Sequence, residues 1–188
     1  MATQRSDARR NYQRILAVAE AEVAAHGAEA SQEQIARTAG VGSATVRRHF
    51  PTRRALLEAV FQERIEGLCA HAERLGAAED GRTALLEWLR ALVSYAVSAR
   101  GFADTLSYEP PVEEPSPDSC GARIEAAGSP LLQRAVREGA VAPYVTFHDL
   151  LTLAVGIALA TEHHKDPEAR AGRLFHLAVE GLSPSKRS

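Results

Sequence analysis

The chain has 188 residues, 45% hydrophobic and 24% charged, which suits one domain with an ample core, or one with a small appended head. A net charge of −2 argues against a general nucleic-acid coat. Its distribution is uneven, however: residues 1–60 hold nine Arg against six Asp/Glu, and residues 61–188 hold 13 Lys/Arg against 18 Asp/Glu. A mildly basic head on an acidic body fits local contact with nucleic acid.

Many of the apolar residues are alanines and few are aromatic, which favours helices over strands. A first helix is expected over Ala8–Ala25, with Tyr12, Ile15, Leu16, Ala19 and Val23 at helical spacing, ended by His26-Gly27. Ser31 and Gln34 have the spacing of a capping box and open a short helix over 32–39, with Ile35 and Ala39 on one face. Ala39-Gly40-Val41-Gly42 reads as a tight turn, with Ser43 as the cap of a second short helix over 43–49. Phe50-Pro51-Thr52 stops that helix, and Thr52 caps a long one. This runs to about Leu75 with Leu56, Leu57, Val60, Phe61, Ile65 and Leu68 as its apolar stripe. At about 1.5 Å per residue it is more than roughly 30 Å long, a lever between head and body.

Gly76 to Gly81 is a break, with Asp80 placed to cap the next helix, Thr83–Ala99. Gly101 ends that helix, and a short helix is expected over Phe102–Ser107. Residues 109–118, E-P-P-V-E-E-P-S-P-D, hold four prolines and four acids and exclude regular structure, leaving a linker or a lid. Helices resume over Ser119–Gly139 and, after a turn to Val145, from a capping box at Thr146 and Asp149 through His163. Asp166-Pro167 opens a last helix to Gly181. The tail 184–188 is expected to be disordered. The fold class is all-α: a three-helix head over 1–52 and a helical body over 53–183.

The segment 43–49 has small residues first and arginines last, a pattern shaped for the major groove of double-stranded DNA. Ser43, Thr45 and Arg47 fall on or near the groove side, with Gly42 at the threshold. Arg48, His49 and Arg53 are placed for phosphates, and His49 has the alternative of packing beneath the head. Gln32 sits at a helix start, where side chain and N-terminus can meet phosphate. Phe50 and Ile35 belong to the core.

The helix-turn-helix resembles the DNA-binding head of the tetracycline-repressor (TetR) family. The matching residues are Ile35-Ala36, Ala39-Gly40-Val41, Thr45, Arg48-His49-Phe50-Pro51 and Ala55-Leu56-Leu57, with Ile15-Leu16 through His26-Gly27 matching the preceding helix. There are departures. The family usually has an aromatic residue at Arg47, Ser at Gly42, Gly at Ala44 and Lys at Arg53. The family aromatic commonly touches the DNA backbone, so Arg47 has two open roles, phosphate contact or base reading. The stretch Leu131–Val141 and the ending Val179-Glu180-Gly181-Leu182 look like the family's C-terminal region.

The helix from Thr146 is apolar nearly all round and needs more cover than one layer supplies. The resemblance implies the same, a homodimer through the last two helices. Leu150, Leu153, Ala154, Ile157, Leu174, Phe175 and Ala178 are the candidate interface. The resemblance also implies a small-molecule effector, with Trp88, Leu92, Tyr95, Phe102, Leu106, Ile124, Leu132, Val136 and Leu151 as candidate lining. An apolar stripe at that spacing is equally what a packed core shows. The implied function is a ligand-responsive regulator, most simply a repressor, on a palindromic operator.

Other chemistry finds little support. There is no phosphate-cradling glycine loop, no H-E-x-x-H and no G-x-S-x-G, so neither catalysis nor a cofactor is expected. His163-His164, with Asp166, His148 and His176, makes a poor metal set because adjacent histidines point to different sides of a helix. Cys69 and Cys120 lack metal-ligand spacing, and a reduced, cytoplasmic protein without membrane segments is expected. The competing reading is an all-α binding module or enzyme whose helix-turn-helix is structural only.

Overall fold

The computed structural model describes residues 2–78, 80–99, 102–103 and 119–180, which form helices and no strands. In chain order these are α1 (Ala2–His26), α2 (Gln32–Thr38), α3 (Ser43–His49), α4 (Arg53–Ala78), α5 (Gly81–Ser98), α6 (Cys120–Arg137), α7 (Phe147–Thr161) and α8 (Pro167–Glu180). A 3-10 turn, Gly27–Glu29, follows α1. Leu106, the acidic segment 109–118 and the 184–188 tail lie outside the described residues. Of the short helix expected at 102–107, only Phe102 and Ala103 are described.

Most helix ends fall where their caps put them. The Thr52 hydroxyl accepts from the Ala55 amide at 3.0 Å. Asp80 accepts from the Thr83 amide at 3.1 Å, and hydrogen bonds from the Thr83 side chain and then its amide hold the carboxyl below the usual range. The Thr146–Asp149 box is complete in both directions. The Ser31–Gln34 box forms only half. Ser31 accepts from the Gln34 amide, but the Gln34 side chain is engaged with Thr38 and Arg37 instead.

Several boundaries differ from the sequence expectation, among them α5, which starts at Gly81 rather than Thr83, and α6, which ends at Arg137 rather than Gly139. Helix α1 starts six residues early, because Ala2–Asp7 contains no Pro or Gly to break it. Helix α4 runs through Gly76 to Ala78, because the glycine packs under Leu131 and its carbonyl accepts from Arg134 at 2.8 Å. Helix α7 ends at Thr161, whose hydroxyl turns back to the Ile157 and Ala158 carbonyls.

Two cores result. In the head, Ile15, Ala19, Ile35, Val46, Phe50 and Leu56 pack together. In the body, α5 is the hub against α4, α6, α7 and α8. Each fully buried Ile or Leu contributes about 1.5–3 kcal/mol. The cores meet on α4: Leu56 belongs to the head cluster and its neighbour Leu57 to the body cluster. Movement of α4 against the body is therefore movement of the head.

The centre of the body is tight. The Trp88 indole donates to the Leu68 carbonyl at 3.0 Å and lies 5.9 Å from Phe147, centroid to centroid. Gly128 lets α6 approach both rings, since a Cβ there would sit 2.6 Å from Trp88. Gly128→Ala should therefore destabilise the fold by about 1–3 kcal/mol. A thermal melt checks this, and an unchanged Tm would show that the rings have room.

Candidate nucleic-acid interface

The head is built by its turn. Gly40 takes φ +63°, a left-handed conformation that favours glycine. The Val41 amide then reaches back to the Ala36 carbonyl at 3.0 Å. Gly42 is extended (φ −70°, ψ 146°), and its carbonyl accepts from the Thr45 amide at 2.8 Å and from Val46 at 3.3 Å. This corrects the expected cap. Gly42 holds the cap position through its backbone alone, and Ser43 is the first helical residue. Its hydroxyl is thereby left to the outer surface, where Ser43 is exposed.

Val46 and Phe50, buried against Ile35 and Ile15, fix the roll of α3. The opposite side then presents Ser43, Ala44, Arg47 and Arg48, all exposed, with Thr45 half-buried beside them. Arg48 shares the outer face with Ala44 at i, i+4 spacing, so it stands with Arg47 rather than apart. Ala44 is exposed on the same face, and that spacing is its signal in the sequence.

The arginines are lightly held. Arg47 lies 3.8 Å from Glu33, and Arg53 lies 3.6 Å from Glu29. Both pairs are largely in water, where such contacts are weak and easily exchanged. Arg48 has no ion-pair partner among the described residues.

Two of the expected phosphate contacts are used internally. The Gln32 amide donates to the Phe50 carbonyl at 3.2 Å and braces the start of α2 to the end of α3. Its side chain is therefore a strut, contrary to the expectation from its helix-start position. His49 packs edge-on to Tyr12 at 5.7 Å and beside Phe50, and its Nε2 is buried without a partner. Of its two open roles, the geometry matches packing beneath the head.

The candidate effector residues Trp88, Leu92, Tyr95, Phe102, Ile124 and Leu132 are buried in one continuous core, with Val136 and Leu151 half-buried against it. Phe102 lies 4.3 Å from Tyr95 and 5.2 Å from Phe61. Within this knot the Tyr95 hydroxyl is buried with no hydrogen-bond partner. Burial pushes its ionisation up, against the pull of Arg64, which lies over the ring at 5.3 Å. Burial also raises both thiols, Cys120 to about 12, so neither is poised as a thiolate. No group of three or more metal-ligating side chains occurs among the described residues.

The expected interface residues divide. Ala154, Ile157 and Phe175 are buried in the chain's own core, where a second copy cannot reach them. Helical period marks them as apolar without showing which way they face. Leu150 and Leu174 are half-buried, while Leu153 and Ala178 are exposed. Leu153 (42% exposed) and Leu159 (39%) share an outward stripe of α7 with Thr152, Gly156 and Ala160. No described helix is long and apolar enough to cross a membrane.

Residues 15–60 match the family model described as bacterial regulatory proteins, tetR family. Residues 80–184, more than half of the chain, match the C-terminal domain of SbtR-like transcriptional regulators. Comparison with curated proteins found no match. Among solved structures, the chain is similar to a TetR transcriptional regulator from Streptomyces coelicolor. The two are 34% identical over 93% of this chain and 99% of that one, with a TM-score of 0.56. The fold is shared with the TetR-family regulator PfmR from Thermus thermophilus, at 22% identity over 91% of this chain and 96% of that one, TM-score 0.58. It is also shared with FadR from Bacillus subtilis in complex with stearoyl-CoA, at 16% identity over 92% and 100%, TM-score 0.57.

Proposed function

Since this chain belongs to the TetR family of bacterial transcriptional regulators, we propose that it is a homodimeric repressor of a palindromic operator, released by a small molecule. The observation that carries the DNA reading is the outer face of α3, where small residues and two exposed arginines stand on a helix rolled into place by Val46 and Phe50. Ser43 and Ala44 let the backbone close on the groove floor, and Arg47 and Arg48 reach base edges or phosphates. Arg53 adds a backbone contact at the start of α4.

Dimerisation follows from the uncovered stripe on α7, Leu153 through Ala160, continued by exposed Gly172 and Ala178 on α8. A second copy laid two-fold against it buries these residues and sets the two α3 helices about 34–36 Å apart, or a multiple of that. An effector in the body that prefers another α4 angle moves the heads off that spacing. It shifts the equilibrium only by its differential affinity for the two states. FadR from Bacillus subtilis, of the same fold, was solved with stearoyl-CoA, which supports an effector with an apolar chain here.

Genomic fragments retained by the immobilised protein should share an inverted repeat at this spacing. Retention without a shared repeat, or none at all, would refute the reading and leave an all-α module with a structural helix-turn-helix.

The unpaired Tyr95 hydroxyl is an anchor for an acceptor group on an effector. A buried unsatisfied hydroxyl costs about 1–3 kcal/mol. Tyr95→Phe should therefore melt no lower than the wild type, yet need about tenfold more effector for release. A lower Tm would mean that the hydroxyl already has a partner.

A further inference from the structure

Helices α4 and α6 run side by side in the same direction, with Glu66 and Cys69 against Arg123 at one end and Gly76 against Arg134 at the other. Between them is an open groove of about 720 Å³. Its floor is made of small or apolar residues: Ala72 and Gly76 from α4, and Ala126, Ala127, Pro130 and Leu131 from α6. Its rim carries the guanidinium groups of Arg123, Arg134 and Arg137 and the carboxylate of Glu73, with Arg123 paired to Glu66 and Arg134 to Glu138 and only Arg137 without an ion-pair partner among the described residues. None of the aromatic-core residues lines it. We propose that this groove binds an amphipathic anion, an apolar tail ending in a carboxylate, and that Arg134 transmits its occupancy to α4.

The volume lies within the range of small-molecule sites, about 300–1,000 Å³. From Arg123 to Arg137 the groove follows α6 for roughly 21 Å, at about 1.5 Å per residue. The alanines and Leu131 leave only apolar surface for a tail. Its head is directed by charge. Arg137 is exposed, one turn beyond Arg134, and has no ion-pair partner among the described residues. The Arg123 end is already neutralised by Glu66 at 3.7 Å. Arg134 is likewise paired, with Glu138 at 2.8 Å, so a carboxylate is drawn to the unpaired Arg137 at the Arg134 end of the groove.

Arg134 is the connection to the rest of the fold. Its Nε donates to Glu138 at 2.8 Å, and its Nη1 donates to the Gly76 carbonyl at 2.8 Å in the last turn of α4. Glu138 in turn accepts from the Gly81 amide at the start of α5, at 2.6 Å. These bonds hold the Glu138 carboxyl below the usual range, with Arg134 the larger cause. One guanidinium thus ties the far end of the lever to the hub helix. A ligand carboxylate is a rival acceptor for those N–H groups, and on taking them it frees the Gly76 carbonyl and the end of α4. This transmission rests on the reading of α4 as the lever of a DNA-binding head; the binding itself does not.

Titration calorimetry of the full-length protein with octanoate, with octan-1-ol as the uncharged control, measures binding without DNA. Octanoate should bind at least about tenfold more tightly than octan-1-ol. R137Q should weaken octanoate by about tenfold at unchanged Tm, because Arg137 is exposed. A126W, which fills the groove from an exposed position, should abolish binding. Three results would each overturn the site: no octanoate binding, equal binding of the alcohol, or octanoate binding untouched by both substitutions. On a retained DNA fragment, octanoate should lower the affinity of wild type but not of A126W. Octanoate bound in the groove with DNA affinity unchanged would overturn the transmission through Arg134. Failure to bind any DNA would count against the regulator reading and leave the groove result intact.

Discussion

Replacing Arg47 and Arg48 together with alanine should weaken operator binding by about 2–6 kcal/mol per dimer, a loss between roughly 30-fold and roughly 10⁴-fold. The figure takes one good contact of about 1–3 kcal/mol from the pair in each half-site, doubled because two-fold symmetry removes it from both half-sites. Both side chains are exposed, and neither touches the Val46–Phe50 anchor, so the head keeps its fold. A circular dichroism spectrum confirms this. The single variants separate the roles that the sequence leaves open. If Arg47 reads a base, Arg47→Ala relaxes the preference at one position of each half-site. If it meets a phosphate, the variant loses affinity equally on all sequences, with a shallower salt dependence. Undiminished binding by the double variant would remove α3 from the interface.

Leu153→Glu should convert the dimer to a 20.2 kDa monomer and abolish operator binding. Leu153 is 42% exposed on the isolated chain, so a carboxylate there is solvated and harmless to the monomer. In the proposed dimer the two-fold axis brings the stripe of one copy onto that of the other. Two carboxylates then enter an apolar seam with no partner, at a cost of several kcal/mol. The neighbouring Val155 is 7% exposed, so the same change there strikes the fold and says nothing of assembly. Sedimentation equilibrium distinguishes the outcomes. A dimer mass unchanged by Leu153→Glu, or a wild type already monomeric, would overturn the α7–α8 interface.

The head is highly legible in the sequence because its signals are local. Gly40 is needed for one left-handed residue, Thr52 caps by reaching three residues ahead, and Val46 and Phe50 lie four apart on one face. The error at Ser43 shows the limit of such signals. A serine before a helix marks its start to within a residue, and here the extended backbone of Gly42 takes the cap position. Gln32 and His49 show another limit: the Gln32 amide is directed to the Phe50 carbonyl and the His49 ring is packed against Tyr12 by the angle between α2, α3 and α1, which no local pattern encodes.

The body is less legible for a related reason. Ala154, Ile157 and Leu153 are equally apolar in sequence, yet only Leu153 faces outward. Arg123, Arg134 and Arg137 read as a solvated helix face. Their convergence on an apolar groove depends on α6 lying parallel to α4, a contact between residues more than fifty positions apart.

The most direct test of the regulator account is the affinity of the protein for its retained inverted repeat and for a scrambled duplex of equal length, across a salt series. The protein is first unfolded and refolded to strip any bound effector. A sequence-reading dimer should prefer the repeat by about 10³-fold or more, with log affinity falling linearly in log salt at a slope near −0.9 per phosphate contact. Equal affinity for the two duplexes at every salt concentration would contradict it.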